Sequence, residues 1–486
     1  MKVTARPSNV QVRADEESLT GHAGLLLVSE LVQKMGVVPK LDEAIDEVRR
    51  FKQRRRGLTG GELLMSVAES ILIGGDHLAH LEELRQDKAG AELRAVAQVP
   101  APTTAGQLLP GFSEEQCRAV VAALAEVGNQ FDRQMGLPVG APVTLDLDPT
   151  DTEVYGRRKE GAAFNSDGVM SYASHAVTWS ERRRVLAVDL ASGSESAKPR
   201  APKLLRRALK ALPEGHGPVR ARMDTEFYTL EMLETCRRLG VGFTVAVPRY
   251  EAMHEARRHI GPRSWKPALN MKGAEVAETT YQPTGWKHEP LRLIIRRVRV
   301  EADEISRDGR SRRRRTIPKG QLKLALKGYI DHTYSYSFIL TDLSGNAAEI
   351  ELWHRQRAHI EERFKDLKLG CGMDHAPMAS LGGNRAWQTA TVIATNLVAM
   401  LSATAAKVNH ERLGELIATS EEPGPRRAPF RVARHNAEFV RRWLVNVPGR
   451  ILHGGRQIHL RLAQGMLWAQ TFIATYQRLR LLRSTA

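Results

Sequence analysis

The chain has 486 residues, which is enough for more than one domain and at least one large core. Its formal net charge of +17 indicates a polyanionic partner and favours nucleic acid over a membrane surface. With only 3 cysteines, a disulfide framework and a cysteine-rich zinc site are excluded. No signal-peptide pattern opens the chain, and the most apolar run, 392–401, is too short to span a bilayer. We therefore expect a cytoplasmic protein.

Residues 1–138 are predicted to be mostly helical. Helical periodicity is found at 24–35, 58–85 and 113–135. Thr59 and Glu62 have the spacing of a capping box, and a basic cluster, RRFKQRRR, occupies 49–56. Small arginine-rich helices joined by tight turns are compatible with a helix-turn-helix-like reader of duplex DNA. The competing interpretation is a helical cap with a solvated basic loop.

From residue 139 the pattern changes to strands. The run 143–148 (VTLDLD) places leucines on one face and Asp146 and Asp148 on the other, and we expect this strand to end at Pro149. Further strands are predicted at 172–179, 184–190, 219–223 and 242–247, with helices at 202–212 and 230–239. The strand at 219–223 delivers Asp224 at its end.

This order, β-β-β-α-β-α-β, resembles the ribonuclease H-like fold. In that fold the first and fourth strands lie side by side, and each carries an acidic residue near the site. Asp148 and Asp224 fall on those two strands. Taken singly, Asp148 is also compatible with a turn before Pro149, and Asp224 with a cap on the following helix.

The stretch 353–368 (WHRQRAHIEERFKDLK) is predicted to be a helix, because it contains strong helix formers and no glycine or proline. Arg357, Glu361 and Lys368 are separated by steps of four and seven, which places them on nearly one face. A carboxylate between two cations fits a site where the carboxylate binds a metal ion and the cations bind phosphates. The alternative is a solvated ion pair on a surface helix.

Asp148, Asp224 and Glu361 together offer the oxygen ligands that hard cations such as Mg²⁺ or Mn²⁺ prefer. Two such ions in one active site support in-line displacement at a phosphodiester. Arg357 would then bind scissile-strand phosphates through its planar fork and Lys368 as a point charge.

On these residues the sequence resembles the DDE transposases of bacterial insertion sequences, most closely the insertion-sequence-1380 family within the wider insertion-sequence-4-like group. The matching segments are LDLDPTD (145–151), RMDTEFY (222–228) and GRILHGGRQIHLRL (449–462). The signature Y-x2-R-x3-E-x6-K is met at its last three positions, and His354 occupies the place of the tyrosine. The resemblance implies that His354 contacts DNA.

Two alternatives for the acidic set remain open. Asp146 is a possible ligand in place of Asp148, and Glu362 in place of Glu361. We prefer Asp148 because it opens a D-x-T sequence. We prefer Glu361 because an arginine lies four residues before it, whereas Ala358 lies four residues before Glu362.

The segment between Asp224 and Glu361 is far longer than one strand and one helix require, so we expect an insertion at about 248–347. It contains strand-like runs at 291–300 and 335–341. The resemblance implies a mostly β insertion that contacts transposon-end DNA. We expect phosphate contacts from Arg312, Arg313, Arg314 and Arg315. Trp265 or Trp286 are candidates for stacking a flipped base, with core packing as the alternative.

The predicted protein is therefore an α/β chain with a ribonuclease H-like core of mixed sheet, order β-β-β-α-β-α-β-α. Its predicted regions are a helical DNA-binding part at 1–138, the catalytic domain at 139–247 plus 348–402, the β-rich insertion at 248–347, and a basic DNA-end or dimerisation region at 403–486.

The predicted function is cut-and-paste transposition, with two Mg²⁺ or Mn²⁺ ions per active site. The expected partners are double-stranded DNA, both the terminal inverted repeats and the target, and a second copy of the chain on that DNA. The expected location is the bacterial cytoplasm, on the nucleoid when bound. The alternatives are a ribonuclease H-fold nuclease or resolvase without strand transfer, and a non-catalytic DNA-binding regulator derived from a transposase.

Overall fold

The computed structural model describes residues 10, 12–52, 56–156, 158–165, 167–307, 316–356, 370–419 and 436–485. The chain forms two compact units. The first comprises Met1–Val120, Gly370–Gly372 and Gly382–Ala486, and the second comprises Val121–Leu369 and Met373–Leu381. The N-terminal and C-terminal parts of the chain thus share one unit, and the central part forms the other.

The first unit is mainly helical. The described helices that lie wholly in it are Leu25–Lys34 (α1), Val37–Val48 (α2), Gly60–Ile73 (α3), Leu81–Gln86 (α4), Pro102–Leu108 (α5), Ala437–Val440 and Ala469–Arg480. It also contains the start of Glu114–Gln134 (α6) and all of Leu381–Thr419 except its first residue. A three-stranded sheet joins Leu19–Thr20 (β1) to a C-terminal hairpin. We call this hairpin, Gly449–Gly454 with Gln457–Leu462, the C-terminal ribbon.

The capping box predicted for the start of α3 is confirmed. The Thr59 hydroxyl accepts from the Glu62 backbone N–H at 3.1 Å, and the Glu62 carboxylate accepts from the Thr59 N–H at 2.8 Å. The helical pattern predicted at 58–85 is observed as two helices, α3 and α4, because α3 ends with its C-cap at Gly74. There φ is 116°, in the left-handed region that favours glycine.

Residues from the C-terminal part of the chain satisfy the last carbonyl groups of α3. Arg441 Nε donates to the Leu72 carbonyl at 3.1 Å, and Asn446 Nδ2 donates to the Ile73 carbonyl at 2.8 Å. Helix C-termini carry unpaired carbonyls that must find partners when buried. These bonds join the N-terminal and C-terminal parts of the first unit, Met1–Val120 and Gly382–Ala486.

Helix α3 does not fit the role of a recognition helix in a helix-turn-helix. Every residue of α3 except Glu62 is buried, whereas a recognition helix needs an exposed face to enter the major groove. The described exposed cations nearby include Arg49 and Arg50, directly after α2, and Arg56, shortly before α3. Basic residues of the connecting segment, rather than α3, remain the candidates for DNA contact in this region.

The helix Leu381–Thr419 contains the one described segment, Leu381–Arg412, that is long and apolar enough to cross a membrane. Of its most apolar window, 83% is buried within the protein, as in the core helix of a globular unit. The apolar run 392–401 lies in this helix and belongs to the first unit.

The second unit is built on a mixed sheet of 10 strands. The strands are Val143–Glu153 (β2), Ala163–Phe164 (β3), Met170–Trp179 (β4), Arg184–Ser192 (β5), Val219–Met223 (β6), Gly242–Val247 (β7), Lys266–Pro267 (β8), Ala274–Tyr281 (β9), Leu291–Glu301 (β10) and His332–Thr341 (β11). The remaining helices are Ala201–Lys210 (α7), Leu230–Arg238 (α8), Glu251–Arg258 (α9), Ala302–Arg307 (α10), Lys319–Leu326 (α11) and Ala347–Arg355 (α12).

The sheet order is β3-β4-β2-β6-β7-β11-β10-β9-β8, with β5 paired to β4. Strand β2 is antiparallel to β4 and parallel to β6, so the predicted adjacency of the first and fourth strands is confirmed. Leu145 and Leu147 of β2 face a core that also contains Leu204 of α7 and Leu233 of α8. The opposite face of β2 carries the acidic residues.

Strand β2 does not end at Pro149 as predicted but continues to Glu153. Pro149 pairs with His175 of β4, while the parallel pairing with β6 stops at Leu147. Beyond Leu147 the strand has an edge on the β6 side, and proline is tolerated at such edges. The strand therefore extends past the level of Asp148.

The insertion predicted at 248–347 is rich in strands, but these strands extend the central sheet. Phe338 of β11 is paired with Val247 of β7, and β10 and β9 follow in antiparallel order. Both strand-like runs predicted within the insertion are observed, as β10 and β11. Because the hydrogen-bonded ladder crosses the predicted boundary at residue 248, the sheet is continuous from β2 to β8.

Candidate active site

Asp148 and Asp224 lie at the same level of two neighbouring strands. The parallel pairing of β2 with β6 runs from Val143 opposite Val219 to Leu147 opposite Met223. Asp148 is the next residue of β2, and Asp224 directly follows the end of β6. Neighbouring strands are about 4.8 Å apart, and level residues of parallel strands point to the same face. The two carboxylates therefore share one face, and both are partly exposed.

Directly before them on the same face lies a buried ion pair. Asp146, which is 0% exposed, is level with Arg222. Arg222 Nε donates to Asp146 Oδ1 at 2.6 Å, and Nη2 donates to Oδ2 at 2.9 Å. Both carboxylate oxygens thus receive a hydrogen bond from one guanidinium, a strong bidentate arrangement. This favours Asp148 over Asp146 as the ligand.

Arg222 also fixes the helix that leads to Glu361. Its Nη1 donates to the Trp353 carbonyl at 2.8 Å, and its guanidinium lies 5.1 Å from the centre of the Trp353 ring. Trp353 is in α12, the last described helix before the segment that carries Glu361. One side chain therefore connects β2, β6 and the start of that segment.

His354 does not occupy the DNA-contact position expected from the resemblance. It is only 8% exposed, and its Nδ1 lies 2.7 Å from the Thr244 hydroxyl of β7. A ring buried between α12 and the sheet cannot reach a phosphate or a base. The histidine instead anchors α12 beside Arg222.

Asp224 caps a short 3₁₀ turn and not the following helix α8, whose cap is Thr229. Its Oδ1 accepts from the Thr225 N–H and, at 3.1 Å, from the Thr225 hydroxyl, at the start of a short 3₁₀ turn that ends at Phe227. Capping and metal binding are compatible, because a carboxylate has about four lone-pair sites on two oxygens. The cap fixes the orientation of the carboxylate.

Glu226 lies close enough to Asp151 and Asp224 for their charges to act on it, and neither Asp151 nor Glu226 is predicted from the sequence as a site residue. Desolvation, followed by the negative charges of Asp151 and Asp224, raises the pKa of Glu226 above its usual value. Asp151 Oδ2 accepts from Asn165 Nδ2 at 2.7 Å. The segment LDLDPTD ends in Thr150 and Asp151. Because the strand is predicted to end at Pro149, the sequence does not predict that Asp151 lies on the same strand as Asp148.

The two tryptophans proposed to stack a base are both engaged within the second unit. Trp286 is 4% exposed and donates from Nε1 to the Glu289 carbonyl at 2.9 Å, so core packing, the favoured alternative, is what the structure shows. Trp265 is partly exposed, but the Arg297 guanidinium lies 4.1 Å from its ring centre. Arg297 therefore covers one face of the Trp265 ring.

Several predicted site residues lie outside the described part of the chain. They are Arg312, Arg313, Arg314, Arg315, Arg357, Glu361, Glu362 and Lys368. The structure therefore brings Asp148 and Asp224 together, and it places the helix before Glu361 against the same strands.

Residues 3–307 match the family described as Transposase DDE domain group 1. The chain belongs to this family. The match includes Asp148 and Asp224 of the DDE transposase domain and ends before Glu361. Among curated proteins no relative matches. The chain is also similar to a solved structure, the cryo-EM structure of the piggyBac transposase synaptic complex with hairpin DNA. The identity is 10% and the TM-score 0.40, over 82% of this chain and 86% of that one.

Proposed function

We propose that this DDE transposase domain protein cleaves DNA at the ends of a mobile element and joins the ends to target DNA. One observation supports the proposal: Asp148 and Asp224 each directly follow Leu147 and Met223, the last paired residues of β2 and β6. Two level carboxylates on one face repel each other unless a cation lies between them. A cation bound by both carboxylates would remove this repulsion.

The donor set fits a hard divalent cation. Asp148 and Asp224 offer only oxygen ligands, as Mg²⁺ and Mn²⁺ prefer, and Glu361 is proposed as the third carboxylate. The neighbouring Asp146 is already neutralised by Arg222, so it does not compete for the ion. Two ions bound by the three carboxylates would activate the attacking oxygen and stabilise the leaving one at a phosphodiester.

The chain itself positions the reacting groups. Arg222 holds α12 against the sheet, and Arg357, Glu361 and Lys368 are proposed to reach the aspartates from the segment that follows this helix. Arg357 would bind scissile-strand phosphates through two parallel hydrogen bonds, and Lys368 as a single charge. Positioning and charge neutralisation supply most of the catalysis in phosphoryl transfer.

We further propose that the sheet is a ribonuclease H-like core. The element order β2, β4, β5, α7, β6, α8, β7 supports this assignment, as does the adjacency of β2 and β6. The same proposal includes affiliation with the insertion-sequence-1380 family, a bacterial nucleoid location and assembly of at least two copies on DNA. It also includes DNA contact by Arg312, Arg313, Arg314 and Arg315. The excess of Lys+Arg, 72 against 55 Asp+Glu, supports the DNA partner.

The test is cleavage of a plasmid that carries the gene with its flanking DNA, in the presence of Mg²⁺. Asp148→Asn, Asp224→Asn and Glu361→Gln should each abolish cleavage, while Asp303→Asn, on the exposed surface of α10, should cut like the parent. If all three site variants cut as well as the parent, the proposal is wrong.

The same assay separates the rival functions. A nuclease or resolvase would cut but leave no product joined to a second, target plasmid. A DNA-binding regulator would bind the flanking DNA and leave it intact in every variant. Joined products from the parent, lost together with cleavage in the Asp148→Asn protein, are the outcome expected of a transposase.

A further inference from the structure

The C-terminal ribbon is a two-stranded antiparallel hairpin at the edge of the three-stranded sheet of the first unit. Six residue pairs connect its strands, from Gly449 opposite Leu462 to Gly454 opposite Gln457. Gly455 and Arg456 at the turn both have positive φ, 58° and 64°. A two-residue turn with this geometry matches the twist of the strands and gives a defined hairpin.

The two faces of the ribbon differ in character. Ile451, Leu460 and Leu462 point inward and pack in a cluster with Ala23 and Leu93. The alternate positions form the outer face, which we define as Arg450, Leu452, Gln457, His459 and Arg461. All of these except Leu452 are exposed, as is Arg456 at the turn.

The outer face carries an unfavourable charge pair. Arg450 and Arg461 are directly opposite each other across the strands. Like charges at such positions destabilise a sheet unless an anion lies between or over them. Arg450 has one acidic neighbour, Glu16, at 3.3 Å, and both members of that ion pair are about half exposed. Such an exposed ion pair contributes little.

The polar side chains of the outer face are available to a ligand. Among the described residues, no side-chain hydrogen bond or ion pair engages Arg456, Gln457, His459 or Arg461. Residues 449–462 contain three arginines and no acidic residue. An exposed row of arginine, histidine and glutamine side chains is suited to the acceptor groups of phosphates and base edges.

We propose that the outer face of the C-terminal ribbon binds duplex DNA in the major groove. That groove is about 12 Å wide and admits a two-stranded ribbon. Arg461 and Gln457 contact base edges, Arg to guanine and Gln to adenine, while Arg450 and Arg456 contact the flanking phosphates. The inference deepens the proposed function, because it assigns recognition of the DNA sequence to a surface of the first unit.

The experiment measures binding of the full-length protein to duplex DNA by fluorescence anisotropy. One probe is a duplex selected by the parent protein from a random pool, and the other is a scrambled duplex of the same composition. Arg461→Ala should weaken binding to the selected duplex about tenfold or more and binding to the scrambled duplex much less. Arg456→Ala should weaken both alike and lower the slope of log affinity against log salt by about one unit.

Arg133→Ala, which removes an exposed arginine of α6, is the matched control and should bind both duplexes like the parent. Equal losses on both duplexes for Arg461→Ala would overturn groove reading. Unchanged binding would overturn the proposal altogether. A shift from dimer to monomer in sedimentation, with binding unchanged, would identify the ribbon as a protein interface instead.

The outcome is separable from that of the proposed catalytic function. Asp148→Asn should bind the selected duplex like the parent while failing to cut it, and Arg461→Ala should still cut when protein concentration compensates for weaker binding. If Asp148→Asn cuts normally while Arg461→Ala loses specific binding, the catalytic proposal fails and the ribbon proposal stands.

Discussion

Arg222 donates one hydrogen bond to each carboxylate oxygen of Asp146, at 2.6 and 2.9 Å, inside the sheet that carries the candidate active site. The pair is level across β2 and β6, two residues before the level shared by Asp148 and Asp224. The same arginine donates to Ser180 Oγ at 3.1 Å. One level of β2 and β6 thus holds an ion pair, Asp146 with Arg222, and two carboxylates, Asp148 and Asp224, come two residues later. Asp146 is therefore a structural carboxylate, and Asp148 and Asp224 are the candidate ligands.

This arrangement predicts different effects for two neighbouring aspartates. Asp146→Ala leaves the Arg222 cation buried without its partner and should lower the free energy of unfolding by about 3–5 kcal/mol. Asp148 is partly exposed and does not pair with the buried Arg222, so Asp148→Ala should lower stability in metal-free buffer much less. Urea unfolding with EDTA measures both. Equal losses in the two variants would show that Asp148 is also a structural residue.

Divalent cations should stabilise the folded protein through the acidic pair. A ligand that binds only the folded state at 100 times its Kd adds about 2.7 kcal/mol to the free energy of unfolding. Mg²⁺ should therefore raise the Tm of the parent and of Asp303→Asn, and it should have a much smaller effect on Asp148→Asn and Asp224→Asn. A Mg²⁺ shift that survives both site substitutions would place the bound ion elsewhere.

The strands of the second unit could be predicted from sequence because their apolar patterns are local. The bounds of β6 and β7 match the predicted 219–223 and 242–247, and Asp148 and Asp224 followed from where these patterns end. Arg222 was not singled out, because an arginine within a strand gives no local sign that a buried carboxylate lies across from it. The burial of His354 was not predicted for the same reason. The His354 ring packs against β7 beside Thr244, which is far away in the sequence.

Long-range pairing also limited the prediction of domains. The strands of the presumed insertion were recognised, but only the pairing of β11 with β7 shows that they extend the same sheet. The union of the chain ends in one unit depends on contacts such as Arg441 with the end of α3, which periodicity does not reveal. Local signals such as the Thr59 capping box were recovered, because all their atoms lie within one helical turn.

The capping box should make a measurable contribution to the stability of the first unit. Thr59→Ala removes the side-chain acceptor for the Glu62 N–H and should lower the free energy of unfolding by about 1 kcal/mol. Thr59→Ser keeps a hydroxyl and should lose much less. Thr103→Ala, at an exposed position of α5, controls for loss of a threonine outside a cap. Thermal unfolding of the four proteins measures these differences. Equal Tm values for Thr59→Ala and the parent would show that the cap does not contribute to stability.

Glu69 of α3 should make stability depend on pH. It is 0% exposed, and burial raises the pKa of its carboxyl from 4.5 to about 7. The folded state therefore holds this proton more tightly than the unfolded state does. Below pH 4.5 the carboxyl is protonated in both states and contributes nothing to the pH dependence. As the pH rises from 4.5 to about 7, the free energy of unfolding falls. Above about pH 7 this loss of stability reaches its full value of about 3 kcal/mol.

Glu69→Gln keeps an acceptor for the Ala95 N–H, which Glu69 Oε1 binds at 2.8 Å, but it cannot ionise. The stability of the variant relative to the parent should therefore increase by about 3 kcal/mol between acidic and mildly alkaline pH, because only the parent carries a buried charge at the higher pH. Urea unfolding at a series of pH values measures this difference, with Glu47→Gln on the exposed surface of α2 as the matched amide substitution. If the difference in stability between the variant and the parent does not change with pH, the folded protein stabilises the Glu69 carboxylate as strongly as water does.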